Sequence, residues 1–162
     1  MNKLFIGIDP GKTGSICLLD PSADDVKNVV SFLDINMQPL ILLDELRQLN
    51  QRYDVVPIMV EKVRNIRGAA SASNFNFGYN YGSIRTLAVC TGLGVDDAPV
   101  ISWQSKLRVP NKLEKTARKK YIANRCLELY PFAELHGPKG GLLDGRSDAL
   151  GIAHYSRLVY GQ

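Results

Sequence analysis

Residues 4–19 read LFIGIDPGKTGSICLL, and this stretch decides the fold. Two short apolar runs, Leu4–Ile8 and Ser15–Leu19, flank a turn that begins at Asp9 and contains a proline and two glycines. Short apolar runs bounded by such residues are typical of strands joined by a turn. A third run, Val29–Leu33, follows a segment rich in Ser and Asp. The sequence therefore predicts a meander of three strands at the start of the domain.

The rest of the chain alternates helical and strand patterns. Apolar residues at helical spacing predict helices over residues 38–49, 73–91, 115–129 and 142–159. The short β-branched run Val55–Val60 predicts a buried fourth strand, and Val100–Trp103 predicts a fifth. This order of elements predicts an α/β fold in which helices flank a mixed five-stranded sheet.

Length and composition indicate one globular domain. The 162 residues fit a single domain spanning 1–162. Hydrophobic residues make up 45% and charged residues 22%, which excludes disorder, collagen and coiled coil. The three cysteines, Cys17, Cys90 and Cys126, are far apart, which argues against a disulfide framework or a zinc site and favours a reducing cytosol.

No targeting or membrane segment is expected. The first apolar run stops at Asp9, before it could form the core of a signal peptide. No apolar run approaches the ~20 residues that a membrane helix needs. We therefore expect a cytoplasmic protein without a membrane partner.

Positive charge is concentrated in the second half of the chain. Lys and Arg number 20 against 16 Asp and Glu, a net charge of +4 that permits a polyanionic partner without requiring one. Acidic residues prevail between Asp20 and Glu61, and basic residues prevail from Lys62 onward. The densest basic segment contains Lys106, Arg108, Lys112, Lys115, Arg118, Lys119 and Lys120. The chain is therefore electrically polarised along its length.

Four acidic residues form the candidate chemical site. Asp9 ends the first predicted strand and Glu61 ends the fourth, so both carboxylates project at one sheet edge if those strands are neighbours. Asp144 and Asp148 open the last helix, where a four-residue step turns ~400° and leaves the two side chains ~40° apart on one face. Each acid alone also has a structural explanation, as a helix cap, a turn former or a surface charge.

The four acids taken together indicate a bound cation. Four carboxylates within ~5 Å of one another would repel by ~3 kcal/mol per pair at an effective dielectric constant near 20. Oxygen ligands suit Mg²⁺, with Mn²⁺ as the alternative, and two such ions would stabilise the attacking and leaving oxygens of an in-line phosphoryl displacement. A Walker A loop is excluded because its first glycine would fall on Ile6, and no dinucleotide-binding glycine motif follows the first strand.

Two lysines lie on the apolar stripe of the predicted helix over residues 115–129. Lys115 and Lys119 share that stripe with Ile122 and Cys126. Two interpretations stay open. The amines either extend outward to solvent from the start of the helix, or they point at an anionic substrate near the acids.

The region from Lys62 to Arg85 interleaves basic and aromatic residues. Arg64 and Arg67, followed by small residues and then aromatics, fit nucleic-acid contacts through phosphate pairing and base stacking. The alternative is that the aromatics pack in the core, and we expect this of most of Phe75–Tyr81. Gly78 and Gly82, four residues apart, would leave a bare stripe where another backbone could approach.

Four motifs together resemble the RuvC family of Holliday junction resolvases, especially its phage-like branch. The motifs are Ile6-Gly-Ile-Asp9-Pro-Gly11, Val60-Glu61-Lys62-Val63, Phe77-Gly-Tyr-Asn-Tyr-Gly82 and Asp144-Gly-Arg-Ser-Asp148-Ala-Leu. The resemblance implies a ribonuclease H-like fold, a homodimer with two active sites, and Mg²⁺-dependent paired nicking of four-way DNA junctions. It also implies the cytoplasm of a bacterium or of a phage-infected cell.

Carried over residue by residue, the resemblance implies roles for particular side chains. Asp9, Glu61, Asp144 and Asp148 match the metal-binding acids, and Lys115 or Lys119 matches a catalytic, substrate-facing lysine. Lys106 likewise matches a substrate-facing lysine of the family. Together with the charge pattern, this gives Arg64, Arg67, Lys106, Lys115, Arg118 and Lys119 as the residues expected to contact DNA. The sequence departs from bacterial members at two places: its last two acids are four apart rather than three, and Arg64 stands where an aromatic residue is common.

Three other functions are compatible with the same residues. A nuclease for forks and flaps would use the same acids and differ only in substrate geometry. A relative that processes RNA would need contacts to 2′-hydroxyl groups. A nucleotide-binding or DNA-binding module without cleavage is the third, although all four acidic positions are filled.

Overall fold

The computed structural model describes residues 1–62 and 71–162. Its strands are β1 (Lys3–Asp9), β2 (Ser15–Leu19), β3 (Val30–Asp34), β4 (Asp54–Val55), β5 (Ile58–Glu61) and β6 (Val95–Ala98). Its helices are α1 (Pro39–Arg52), α2 (Ser71–Cys90), α3 (Val100–Lys106), α4 (Lys115–Leu129) and α5 (Asp144–Tyr160). The strands form one sheet in the order β3-β2-β1-β5-β6, with the short β4 also paired to β1.

Strand β1 lies at the centre of the sheet. It pairs antiparallel with β2 and parallel with β5, where Ile8 is opposite Val60. Residues 4–8 are all buried, as expected for a strand covered on both faces. Asp9 follows Ile8 on β1, and Glu61 follows Val60 on β5. Because the two strands are parallel, both acids reach the same edge of the sheet. The condition on which the predicted convergence of Asp9 and Glu61 depended, that their strands are neighbours, is met.

The two faces of the sheet hold separate cores. Alternate residues such as Ile6 and Ile8 pack with α1 and α2, and Phe5 and Met59 pack with α3, α4 and α5. Helix α5 crosses β1 at close range because Gly7 has no side chain. A β-carbon there would lie 2.2 Å from the backbone nitrogen of Ala153. This approach brings the start of α5 to the edge where β1 ends.

The predicted fold class, a mixed sheet flanked by helices, is confirmed, and so are the opening meander and all four predicted helices. The predicted fourth strand is divided into β4 and β5. Leu4 pairs with Val55 and Gly7 pairs with Met59. An advance of three residues along β1 is therefore matched by four residues from β4 to β5. The extra residue falls at Val56–Pro57, and because Pro57 has no N–H the strand is interrupted there.

The prediction of a strand over Val100–Trp103 is wrong. Those residues lie in α3, which starts after Pro99, and the strand beside β5 is β6. The sequence of β6 is VDDA, whose two aspartates hide the apolar pattern of a strand. Both carboxylates accept hydrogen bonds, Asp96 from the Tyr160 hydroxyl and Asp97 from the Tyr81 hydroxyl. These bonds allow acids within an edge strand.

The expectation that most of Phe75–Tyr81 belongs to the core is also wrong. Phe75 is 71% exposed and Tyr79 is 59% exposed, and they stack on each other at the surface of α2. The buried residues of α2 are Ile84 and Ala88, nearer its C-terminus. Within residues 1–62 and 71–162, no helix combines the length and hydropathy required to cross a bilayer.

Candidate active site

Asp9 is held by the turn that follows β1. The backbone N–H of Gly11 donates a hydrogen bond of 2.9 Å to Asp9 Oδ1, and Gly14 N–H donates to the carbonyl of Gly11 at 2.9 Å. From the other side, Asn80 Nδ2 on α2 donates to the carbonyl oxygen of Pro10 at 3.1 Å. Burial raises the pKa of Asp9, and the negative charge of Asp144 adds to that rise. The carboxylate is therefore fixed in position and close to a second acid.

Glu61 occupies the corresponding place on β5. Burial and the nearby charge of Asp9 raise its pKa from 4.5 to about 7. The indole of Trp103, on α3, lies close enough to lower the pKa and offset part of this rise. Its nitrogen is buried and forms no hydrogen bond of ordinary length within the described chain. Glu61 is thus an acid whose charge is costly in the absence of a cation.

Asp144 and Asp148 enter the site from the first turns of α5. The entry is close-packed, since a β-carbon on Gly145 would lie 2.0 Å from the carbonyl oxygen of Thr13. Burial raises the pKa of Asp148 well above its usual range, and the charges of the other three acids raise it further. One of its oxygens, Oδ1, is buried without a hydrogen-bond partner among the described residues. The four predicted acids therefore converge.

Of the two candidate lysines, the structure brings Lys119 to the acids. Its ammonium group contacts the carboxylate of Asp144 in a salt bridge between α4 and α5. That hydrogen bond raises the pKa of Lys119, and the charges of Asp148 and Asp9 also favour its protonated form. Lys115 is exposed and makes no ion pair or hydrogen bond with the described residues.

The predicted DNA-contacting residues lie in different surroundings. Lys106 is exposed at the end of α3. Arg118 donates to the carbonyl oxygens of Asn111 at 3.1 Å and Leu113 at 3.2 Å, so it holds the loop before α4. Its contact with DNA stays a prediction. Arg64 and Arg67 lie outside the described residues.

Two residues of the site were not found from the sequence. Trp103 was assigned to a strand, and its place beside Glu61 depends on the helix that replaces that strand. Asn80 lies between Phe77 and Ile84 on the inward side of α2, and this helical spacing is the one signal that could have indicated an inward-facing amide. Its acceptor on Pro10 is 70 residues away in sequence and could not be inferred.

The donor set suits a hard divalent cation, although the site is not closed around one. Among the residues described, no three carboxylate, imidazole or thiol groups are already close enough to hold a metal ion. Neighbouring acids raise the pKa values of Asp9, Glu61 and Asp148, and among the described residues Lys119 pairs directly with Asp144 alone. The unpartnered Asp148 Oδ1 is the kind of buried oxygen that a cation would satisfy. The arrangement fits Mg²⁺ or Mn²⁺ by its chemistry.

Neither a protein-family model nor a curated protein matches the chain. Several solved structures match its fold, among them two from Thermus thermophilus. RuvC in complex with a Holliday junction substrate has a TM-score of 0.62 at 16% identity, with 98% of this chain and 94% of that chain covered. A second RuvC structure has a TM-score of 0.59 at 16% identity, with 98% and 97% covered. The chain has a RuvC-like fold. The predicted ribonuclease H-like class is confirmed, and membership of a phage-like branch stays a prediction.

Proposed function

We propose that this chain is a divalent-metal-dependent endonuclease that resolves four-way DNA junctions by paired, symmetric nicks. Residues 1–162 would form a single nuclease domain that acts in the cytoplasm of a bacterium or of a phage-infected cell. The observation that carries the proposal is the convergence of Asp9, Glu61, Asp144 and Asp148, with Lys119, at one edge of a RuvC-like sheet. The matching RuvC structure that contains a Holliday junction substrate supports branched DNA as the substrate.

Each residue of the site has a chemical task in this proposal. Asp9, Glu61 and Asp148 would hold the metal, with Asp144 as a fourth ligand or as the residue that orients the others. The bound metal supplies charge stabilisation for the attacking and leaving oxygens of phosphodiester hydrolysis. Lys119 lies beside these acids, and its ammonium group would stabilise the negative charge that develops on the phosphate.

The surface of α2 supports a homodimer as the working form. Two symmetric nicks require two active sites, and each chain supplies one. Phe75 and Tyr79 are exposed on α2, and a β-carbon added to Gly78 or Gly82 would meet no atom of the described residues within 4 Å beyond the adjacent backbone of α2 itself. A glycine pair of this kind would allow another helix to approach closely, and in this proposal that helix is α2 of a second copy. Sedimentation equilibrium would test this dimer: the wild-type protein is expected to sediment as a dimer, and Gly78→Leu as a monomer.

The cleavage experiment tests the proposed chemistry. Labelled four-way junction, fork, flap and linear duplex DNA are incubated with the protein in Mg²⁺ or in EDTA and resolved on a denaturing gel. We expect paired, symmetric nicks in the junction that disappear in EDTA. Equal cutting of forks and flaps would instead favour a broader debranching nuclease, and cutting of matched RNA substrates would favour an RNA-processing enzyme.

A pair of variants separates catalysis from binding. Asp9→Asn is expected to abolish cleavage while junction binding in EDTA is retained. Asp25→Asn is the matched control, because Asp25 Oδ1 also accepts a backbone N–H two residues on, from Lys27 at 2.9 Å, but in an exposed turn. Retained cleavage by Asp9→Asn, or binding by the wild type without any cleavage, would contradict the assignment of the acids.

A further inference from the structure

Arg108 has an unusual backbone conformation. Its φ is 59°, and it is the one non-glycine residue with positive φ among residues 1–62 and 71–162. Arg108 follows α3. Its N–H donates to the carbonyl oxygen of Ser105, and the N–H of Val109 donates to the carbonyl oxygen of Gln104, both at 3.0 Å. This pattern of helix termination favours glycine, because a β-carbon in the left-handed region is sterically costly.

The contacts that hold this connection need no arginine side chain. The Tyr121 hydroxyl donates to the carbonyl oxygen of Arg108 at 3.0 Å, and Arg125 Nε donates to that of Leu107 at 3.3 Å. The guanidinium group of Arg108 is exposed and makes no ion pair or hydrogen bond with the described residues. Glycine would preserve every one of these backbone contacts at lower conformational cost.

The surroundings of Arg108 are strongly basic. Four further exposed cations of the same segment also form no ion pair with the described chain: Lys106, Lys112, Lys115 and Lys120. Glu114 is the one acid between residues 106 and 120. Tyr121, which binds the backbone of Arg108, is two residues along α4 from Lys119. Arg108 therefore lies beside α4, the helix from which Lys119 reaches the acids.

We propose that the guanidinium group of Arg108 binds a phosphate of the DNA backbone, and that this contact accounts for an arginine in a conformation that favours glycine. The inference rests on the proposed function and adds a substrate contact to it. A guanidinium group suits the task because it is always charged and can donate two hydrogen bonds to one phosphate. Neighbouring lysines would contact the same strand.

Three variants of Arg108 separate the backbone from the side chain. Thermal unfolding and binding to a labelled four-way junction in EDTA, over a series of salt concentrations, are measured for each. Arg108→Gly should raise Tm by about 2–4 °C. It should also weaken junction binding by about tenfold and reduce the slope of log K against log [salt] by about 0.9. Arg108→Ala should show the same loss of binding without the gain in Tm, and Arg108→Lys should keep the wild-type slope.

The control is Arg47→Ala, which removes one positive charge from the exposed surface of α1, on the opposite face of the sheet. It should leave the salt slope unchanged. An Arg108→Gly protein that binds junctions with wild-type affinity and slope would overturn the inference, as would an equal loss in Arg47→Ala. Wild-type protein that binds no branched DNA would overturn the proposed function itself, so the two failures are distinguishable.

Discussion

The side-chain amide of Asn80 donates a hydrogen bond of 3.1 Å to the carbonyl oxygen of Pro10, which joins α2 to the turn that holds Asp9. On its other side, the same turn is held by the N–H of Gly11, which donates to Asp9 Oδ1. Helix α2 also carries the exposed aromatic pair Phe75 and Tyr79. The position of an acid in the site is therefore linked to a helix that carries exposed aromatic side chains.

Asn80→Ala is expected to weaken metal binding by roughly tenfold, because groups that orient a metal ligand typically have effects of that size. The measurement is direct Mn²⁺ titration followed by electron paramagnetic resonance, with the Mg²⁺ concentration for half-maximal cleavage as a second readout. Asn50→Ala is the matched control, since Asn50 Nδ2 also donates to a backbone carbonyl at 3.1 Å, that of Thr91, away from the site. Equal Mn²⁺ affinity in both variants would show that Asn80 is only structural.

Asp148→Asn is expected to stabilise the metal-free protein while it abolishes cleavage. Burial and three neighbouring acids disfavour the charge on Asp148, and its Oδ1 lacks a partner in the described chain. Removing that charge should raise the free energy of unfolding in EDTA at pH 8 by about 1–2 kcal/mol. Urea denaturation measures this change.

Added Mg²⁺ supplies the second half of that test. Wild-type protein should gain stability from Mg²⁺ through preferential binding to the folded state, and Asp148→Asn should gain much less. Asp25→Asn should behave like wild type in both EDTA and Mg²⁺. If Asp148→Asn destabilises the metal-free protein instead, electrostatic repulsion among the acids is not the dominant effect at this position.

The two lysines of α4 should differ sharply in catalysis. Lys119 contacts Asp144, and Lys115 is exposed one turn earlier. Lys119→Ala should lower the cleavage rate at saturating Mg²⁺ by about 10²–10³, as expected when a group that stabilises transition-state charge is removed. Lys115→Ala should alter mainly the salt dependence of binding. A comparable loss of cleavage rate in Lys115→Ala would mean that α4 presents a different side chain to the substrate.

The acidic site was predictable because its residues follow local rules. Strand ends bring Asp9 and Glu61 to one edge, and helical spacing brings Asp144 and Asp148 to one face; both rules depend on backbone geometry that the sequence pattern reveals. The choice between Lys115 and Lys119 was not predictable in the same way. Both lie on the same stripe of α4, and the position of α5 decides which one reaches an acid.

The errors in the predicted fold arise where tertiary contacts override local pattern. Strand β6 carries Asp96 and Asp97, whose hydroxyl partners Tyr160 and Tyr81 come from two different helices. The aromatic residues at the start of α2 were expected in the core, yet Phe75 is exposed because the buried part of α2 begins later. The partners of Asp96 and Asp97 are distant in sequence, and the exposure of Phe75 depends on how α2 packs against the sheet, so local pattern reveals neither.

His154 should make the protein less stable at acidic pH. It shares a hydrogen bond of 2.9 Å with the Tyr130 hydroxyl, and burial, with Arg157 and Arg125 nearby, lowers its pKa below the unfolded value of 6.5. The unfolded state therefore binds a proton first as pH falls, so this contribution is complete above pH 6.5 and is lost as pH falls through the folded pKa. Tm measured from pH 8 to pH 5 should fall more steeply for wild type than for His154→Asn. His136→Asn, which alters an exposed histidine, should keep the wild-type profile, and a His154→Asn profile parallel to wild type would contradict the prediction.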